Sequence, residues 1–164
     1  MRQISRRTIL AIASTTAFDL RSQDINPVRL TASLPRSAKT LRPGAVYKVH
    51  LTAAIEPEWH LYSLVPVENG PVATRIWLPD GQPFTLSGDI TTPEPQRIQD
   101  PNFGIEVGFY EGSPQFVLPV RVASGGRDGR QILQISVRFQ ACNDQMCLPP
   151  RTVKLETPVE IKSL

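Results

Sequence analysis

The sequence predicts an all-β fold, a two-sheet antiparallel sandwich, and three observations carry that prediction. Apolar and polar residues alternate along several short runs, turn-forming residues separate the runs, and nothing beyond the N-terminal segment shows the period of an amphipathic helix. Sixteen prolines and ten glycines suit a chain of short strands and frequent turns better than a helical one.

Taken in order, Val28 to Leu34 and Tyr47 to Ala53 each alternate apolar with polar residues. Shorter strands are expected at Trp59–Leu64, Thr74–Leu78 and Pro83–Ser87. Phe116, Leu118, Val120 and Val122 form the next apolar stripe. Pro119 lies within that stripe and has no amide proton to donate, so the strand is expected at an edge or a bulge. The clearest alternation runs from Leu133 to Gln140, with the odd-numbered residues apolar, and Val153–Ile161 supplies a returning strand. Arg42-Pro43-Gly44, Pro79-Asp80-Gly81 and Ser124 to Gly129 are the turn signals between them. Thr91 to Gly108, rich in proline and poor in alternation, is expected to form one long loop, and loops of that length in compact domains are often functional. Seven to nine strands over roughly 135 residues fit an immunoglobulin-like antiparallel β-sandwich.

A chain of 164 residues with 40% apolar and 20% charged residues is of ordinary globular composition and long enough for one domain with one core. Three of its 18 basic residues, Arg2, Arg6 and Arg7, fall in the first seven positions, and the remaining 15 balance 15 acidic residues. A neutral body offers no electrostatic footprint for nucleic acid or anionic lipid. The start, MRQISRRTILAIASTTAFDL, combines a basic head, the short apolar run Ile9 to Ala13 and small residues, the layout of an export signal. Ser5-Arg6-Arg7-Thr8-Ile9-Leu10 resembles a twin-arginine signal, with Ala17 as a cleavage point. Residues 1–25 are therefore expected to be leader and 26–164 the domain, exported to the periplasm, where a disulfide persists. No apolar run reaches the length of a membrane span, and no cysteine lies near the start for lipid attachment.

Both cysteines lie in one stretch, RFQACNDQMCLPPRTV, separated by Asn143-Asp144-Gln145-Met146. Strand parity places Cys142 with Arg138 and Gln140 on the outer face, opposite the core. Opposed positions of a hairpin there fall within disulfide range, so a Cys142–Cys147 bridge is feasible. The closed loop is very short, and the chain-entropy model assigns short loops less stabilisation, which favours a bridge that opens and closes over a staple. A third reading stays open: two thiolates beside Met146 form a soft donor set for Cu(I). Zinc fits poorly, because His50 and His60 are the only histidines and neither has ligand spacing to the cysteines. There is no Gly-x-Ser-x-Gly elbow, phosphate loop or dinucleotide fingerprint.

The motif FQACNDQMCLPP, with EPEWHLYSL upstream and FVLPVRV between them, resembles the N-terminal periplasmic domain of the DsbD thiol:disulfide interchange family over Asn26 to Ile161. The resemblance implies an immunoglobulin-like sandwich with a redox pair, Cys142 and Cys147, in a hairpin. It implies that Cys147 forms the mixed disulfide with partners and that Cys142 resolves it. His60 and Tyr62 match residues flanking the pair, although Trp59 and Tyr62 are equally candidates for ordinary core packing. Phe103, in DPNFGIEV, falls where the family has a cap loop whose ring covers the disulfide, with Phe109 and Tyr110 as alternatives. The implied activity is that of a protein-disulfide reductase without a cofactor. Its donor would be a membrane-embedded thiol reductase and its acceptors periplasmic thioredoxin-like or disulfide isomerase proteins. Two departures stand out. The loop between the cysteines has four residues, where it can be one longer in the family, and the chain carries neither the membrane section nor the thioredoxin-like domain, so the donor is expected to be a separate polypeptide.

Overall fold

The main core forms where two sheets turn their apolar stripes toward each other. In the first sheet, β1 (Val28–Ser33) pairs antiparallel with β2 (Val46–Ile55), which pairs with β8 (Gln115–Val122), which in turn pairs with β5 (Phe84–Leu86). In the second, β9 (Gly129–Phe139) lies between β11 (Arg151–Ile161) and β4 (Arg75–Trp77). Val49, Leu51, Leu118 and Val120 of the first sheet join Leu133, Ile135, Val137 and Phe139 of the second in one buried cluster. The odd-numbered residues of β9 point inward, as the alternation predicts. Each such aliphatic or aromatic side chain contributes roughly 1.5–3 kcal/mol on burial.

The computed structural model describes residues 25–36, 38 and 40–163. The expected export signal lies outside the described residues. Among the described residues there is no helix, and none long and apolar enough to cross a membrane. Eleven strands are described, more than the seven to nine expected, because several short pairings carry too few residues to show an alternation.

The extra strands belong mostly to a third sheet that positions the cysteines. It has the order β10 (Ala141–Cys142), β3 (His60–Tyr62), β7 (Glu106–Tyr110) and β6 (Gln96–Gln99), all antiparallel. The expected single loop from Thr91 to Gly108 is thus replaced by β6, a turn and the start of β7. β6 escapes detection because it is an edge strand with all four residues exposed, so it has no buried face to imprint an apolar period.

Pro119 also departs from expectation, since β8 is an interior strand. Its carbonyl accepts the Ser87 N–H at 2.8 Å, so its missing donor faces the point where β5 has ended. The next contact on that side is the Thr91–Val117 bridge, and the proline occupies the gap between the two. No ladder bond is lost there, which is why an interior strand tolerates it.

Between β9 and β10 the chain passes from the second sheet to the third at Gln140. That side chain accepts the Val72 N–H at 3.1 Å and donates to the Leu148 carbonyl at 3.2 Å, tying both flanking segments to the crossing point.

Candidate active site around the Cys142–Cys147 disulfide

The third sheet divides its side chains between two clusters. Leu61, Tyr110 and Ala141 face the main core, while their strand neighbours Tyr62, Phe109, Val107 and Cys142 form a separate small cluster on the other face. The pairing explains the grouping: Cys142 is opposite His60, and Tyr62 is opposite Phe109, and residues two apart on a strand share a face. His60 meets Tyr62 edge-on at 5.1 Å and Phe109 at 5.3 Å between ring centroids. Trp59 packs against the main core instead.

Cys142 and Cys147 are joined in a disulfide, with Cα atoms 4.1 Å apart, across an antiparallel bridge. The parity expectation for Cys142 requires correction. The residue lies on the face opposite the main core, but that face is not open to solvent, and Cys142 is 0% exposed. The segment between β6 and β7 covers it: Phe103 and Ile105 pack on the small cluster together with Cys147. Cys147 itself is only partly buried. The intervening turn is held by Asn143, whose Oδ1 accepts the Gln145 and Met146 N–H groups at 2.9 Å each, and Met146 is 46% exposed beside it.

Asp100 organises the covering segment. It is fully buried, and its Oδ1 accepts the N–H groups of Asn102 at 2.8 Å and Phe103 at 3.2 Å. Its Oδ2 accepts the Tyr62 hydroxyl at 2.7 Å. The loop closes through Gly104 N–H to the Asp100 carbonyl at 2.7 Å, with Gly104 at φ 68°, a left-handed conformation in which glycine carries no Cβ penalty. Asn102 Nδ2 donates to the Asn143 carbonyl at 3.2 Å, linking this loop directly to the cysteine loop. Phe103 stands edge-on to Tyr62 at 6.1 Å. The alternatives Phe109 and Tyr110 are both buried on β7 rather than on the loop.

Asp100 was not singled out from the sequence as a site residue. The signal for it was present: an aspartate followed by Pro101-Asn102-Phe103-Gly104 is the composition of a turn in which a side-chain oxygen caps the following amides.

The electrostatics follow from burial. Tyr62 titrates well above its usual range, first because it is desolvated and then because its proton is held by Asp100. It therefore remains a donor at any physiological pH. Its hydroxyl oxygen also lies 3.9 Å from Cys147 Sγ, within reach of a weak sulfur hydrogen bond. For His60, burial lowers the pKa and outweighs the opposing pull of Asp100, Glu111 and Asp144. The 3.9 Å approach of His60 Nε2 to Asp100 Oδ2 is thus the contact of a neutral imidazole, not an ion pair. Glu58, His60, Glu111, Asn143, Asp144 and Gln145 line a hollow of about 250 Å³ beside the cysteine loop.

Sulfur chemistry is what this arrangement supports. Cys142 is sealed, Cys147 is partly exposed, and a hydroxyl with a held proton stands beside the Cys147 sulfur. His60, Tyr62, Phe103, Cys142 and Cys147 lie around one center; His50 lies on β2, paired opposite Ser33 and Val117. Among the described residues, no three His, Cys, Asp or Glu side chains converge as a metal site.

Two solved structures share the fold. The DsbD N-terminal domain of Neisseria meningitidis in its reduced form is 15% identical, with 68% of this chain and 77% of that one covered at a TM-score of 0.50. The N-terminal periplasmic domain of ScsB from Proteus mirabilis is 20% identical, with 86% of this chain covered at a TM-score of 0.50, and the match spans about half of that chain, 49%. Comparison with curated protein sequences gave no match. The family model for the N-terminal region of the thiol:disulfide interchange protein DsbD matches residues 31–158, which include the whole of the third sheet and both cysteines. A match over that much of the sandwich, together with the Cys142–Cys147 disulfide, means that the chain belongs to the DsbD N-terminal domain family and is a thiol–disulfide exchange domain.

Proposed function

We propose that this domain is a periplasmic electron carrier, reduced by a separate membrane-embedded thiol reductase and oxidised by thioredoxin-like or disulfide isomerase proteins. The observation that carries the reading is the asymmetry of the pair: Cys142 is fully buried while Cys147 is partly exposed. Exchange requires a thiolate to approach one sulfur in line, so the accessible sulfur is the one that meets the partner. In the forward step the Cys147 thiolate attacks the acceptor's disulfide, forming a mixed disulfide and releasing one acceptor thiolate. Cys142 then attacks Cys147, restoring the internal bridge and releasing the second acceptor thiolate. Two electrons and two protons leave the domain. Phe103 acts as a cap, limiting access of the wrong oxidants to the reduced pair until a partner displaces it. Export is supported by the basic and apolar N-terminal segment and by the periplasmic setting stated for the ScsB domain.

Trapping tests the assignment. Cys142→Ser should capture a thioredoxin-like partner through Cys147 as a stable mixed disulfide, and Cys147→Ser should capture much less. Equal capture by both variants contradicts the roles given to the two sulfurs. No capture by either, with a reduction potential below about −300 mV, makes the bridge a structural staple. No capture together with tight Cu(I) binding by the reduced pair makes the domain a copper-binding module.

A further inference from the structure

We infer that His60 is a positioning residue for the exchange step, holding, through Asp100 and Tyr62, the proton that Cys147 gives up when it becomes the attacking thiolate. The inference rests on the exchange role proposed for Cys147 and adds to it the fate of the proton.

Four atoms define the path. Cys147 Sγ lies 3.9 Å from the Tyr62 hydroxyl oxygen, that hydroxyl donates to Asp100 Oδ2 at 2.7 Å, and Asp100 Oδ2 lies 3.9 Å from His60 Nε2. His60 Nε2 is buried and has no hydrogen-bond partner, although the residue is only 8% exposed. A buried polar nitrogen without a partner carries a real desolvation cost, and an unused one facing a carboxylate calls for an explanation. The path gives one. The thiol proton passes to the Tyr62 oxygen as the Tyr62 proton passes to Asp100, and Asp100 then gives its proton to Nε2. Thiol plus neutral imidazole becomes thiolate plus imidazolium, with Tyr62 and Asp100 returned to their starting states. The last gap exceeds a hydrogen bond, as contacts that tighten only during reaction commonly do in resting structures.

The surroundings suit a site that is neutral at rest and receptive to charge. Burial keeps the imidazole uncharged near neutral pH, so it is available as an acceptor. The charged groups that face it are Asp100 from the capping loop, Glu111 just after β7 and Asp144 from the cysteine loop, and Glu58, before β3, lines the same hollow. Asp100, Glu111 and Asp144 pull toward the imidazolium against the opposing effect of burial.

The test uses the intact domain in both redox states. Because a coupling between two sites is reciprocal, a proton shared between Cys147 and His60 must make each titration depend on the other. Imidazole NMR signals are followed against pH in the oxidised protein and after reduction with dithiothreitol, and His60→Gln assigns the signal by its disappearance. The His60 midpoint should lie higher in the reduced protein than in the oxidised one. Alkylation of the reduced protein should show a Cys147 pH profile displaced upward in both His60→Gln and His60→Phe, with several-fold slower reaction near neutral pH. An identical His60 midpoint in the two redox states overturns the inference, as does an unchanged alkylation profile in the two variants. Partner capture by Cys142→Ser reports separately on the exchange role, so failure of that role and failure of the proton path give different patterns.

Discussion

The short strands of the third sheet give one face to the main core and the other to the small cluster at the disulfide, yet the two clusters are closed in different ways. Along β3, Leu61 enters the main core while Tyr62 enters the small cluster; on β10, Ala141 and Cys142 divide likewise. The main core is closed by a second sheet, side chain against side chain, with Leu133, Ile135 and Val137 at 0–1% exposure. The small cluster is closed by a loop, and that loop is held by polar contacts converging on one buried carboxylate, Asp100. A sheet cannot move aside without unfolding the domain, whereas a loop tied by a few hydrogen bonds opens at a far smaller cost. The difference is what the proposed cap requires: the cysteine pair lies under a loop held by polar contacts and not under a packed sheet.

The comparison breaks most visibly if the two clusters turn out to be one cooperative unit. Phe116→Ala removes a ring that is 1% exposed in the main core, and should cost about 3–5 kcal/mol in denaturant unfolding while leaving thiol alkylation in native buffer unchanged. A large rise in thiol reactivity from that distant change would mean that the two regions open together. Asp100→Ala removes the acceptor of three hydrogen bonds and should cost roughly 1–3 kcal/mol. Unlike the core variant, it should also expose the reduced thiols, read as faster reaction with a small alkylating agent.

Phe103→Ala sharpens the contrast further. The ring is only half-buried, so the loss of stability should be about 1 kcal/mol, yet the reduced pair should react several-fold faster with a small oxidant. A fall in melting temperature as large as that of Phe116→Ala would show the ring to be an anchor rather than a cap. The smallest effect concerns pH. His60 has a folded pKa below its usual 6.5, so the unfolded chain takes up its proton more readily. The stabilisation from keeping this imidazole neutral is complete above that value and is lost as pH falls from there through the lowered folded pKa. Between about pH 7.5 and about pH 5, wild-type stability should therefore fall more than that of His60→Phe, and parallel melting curves for the two proteins would contradict the assigned direction.

How much of this was legible beforehand depended on whether a residue's fate was set locally. The long strands announce themselves because one face is buried along their whole length, and alternation at Leu133, Ile135, Val137 and Phe139 is the direct imprint of that burial. The cysteine loop was equally legible, since Asn143 and its neighbours form the turn with their own side chains and amides. β6 left no trace, because an exposed edge strand is defined by its partner's hydrogen bonds and not by its own side chains.

By itself the sequence determined the all-β class, the main core stripes and a tight turn that brings two cysteines within bridging range, all of them consequences of spacing along the chain. Only the tertiary structure decided that the outer face at Cys142 is an interior, because what covers it comes from residues 100–105, about 40 positions earlier. It likewise decided that Tyr62, Asp100 and His60 meet, and that His60 stays neutral. Those are properties of burial and of distance in space, and neither is written in the order of residues until the strands that carry them have paired.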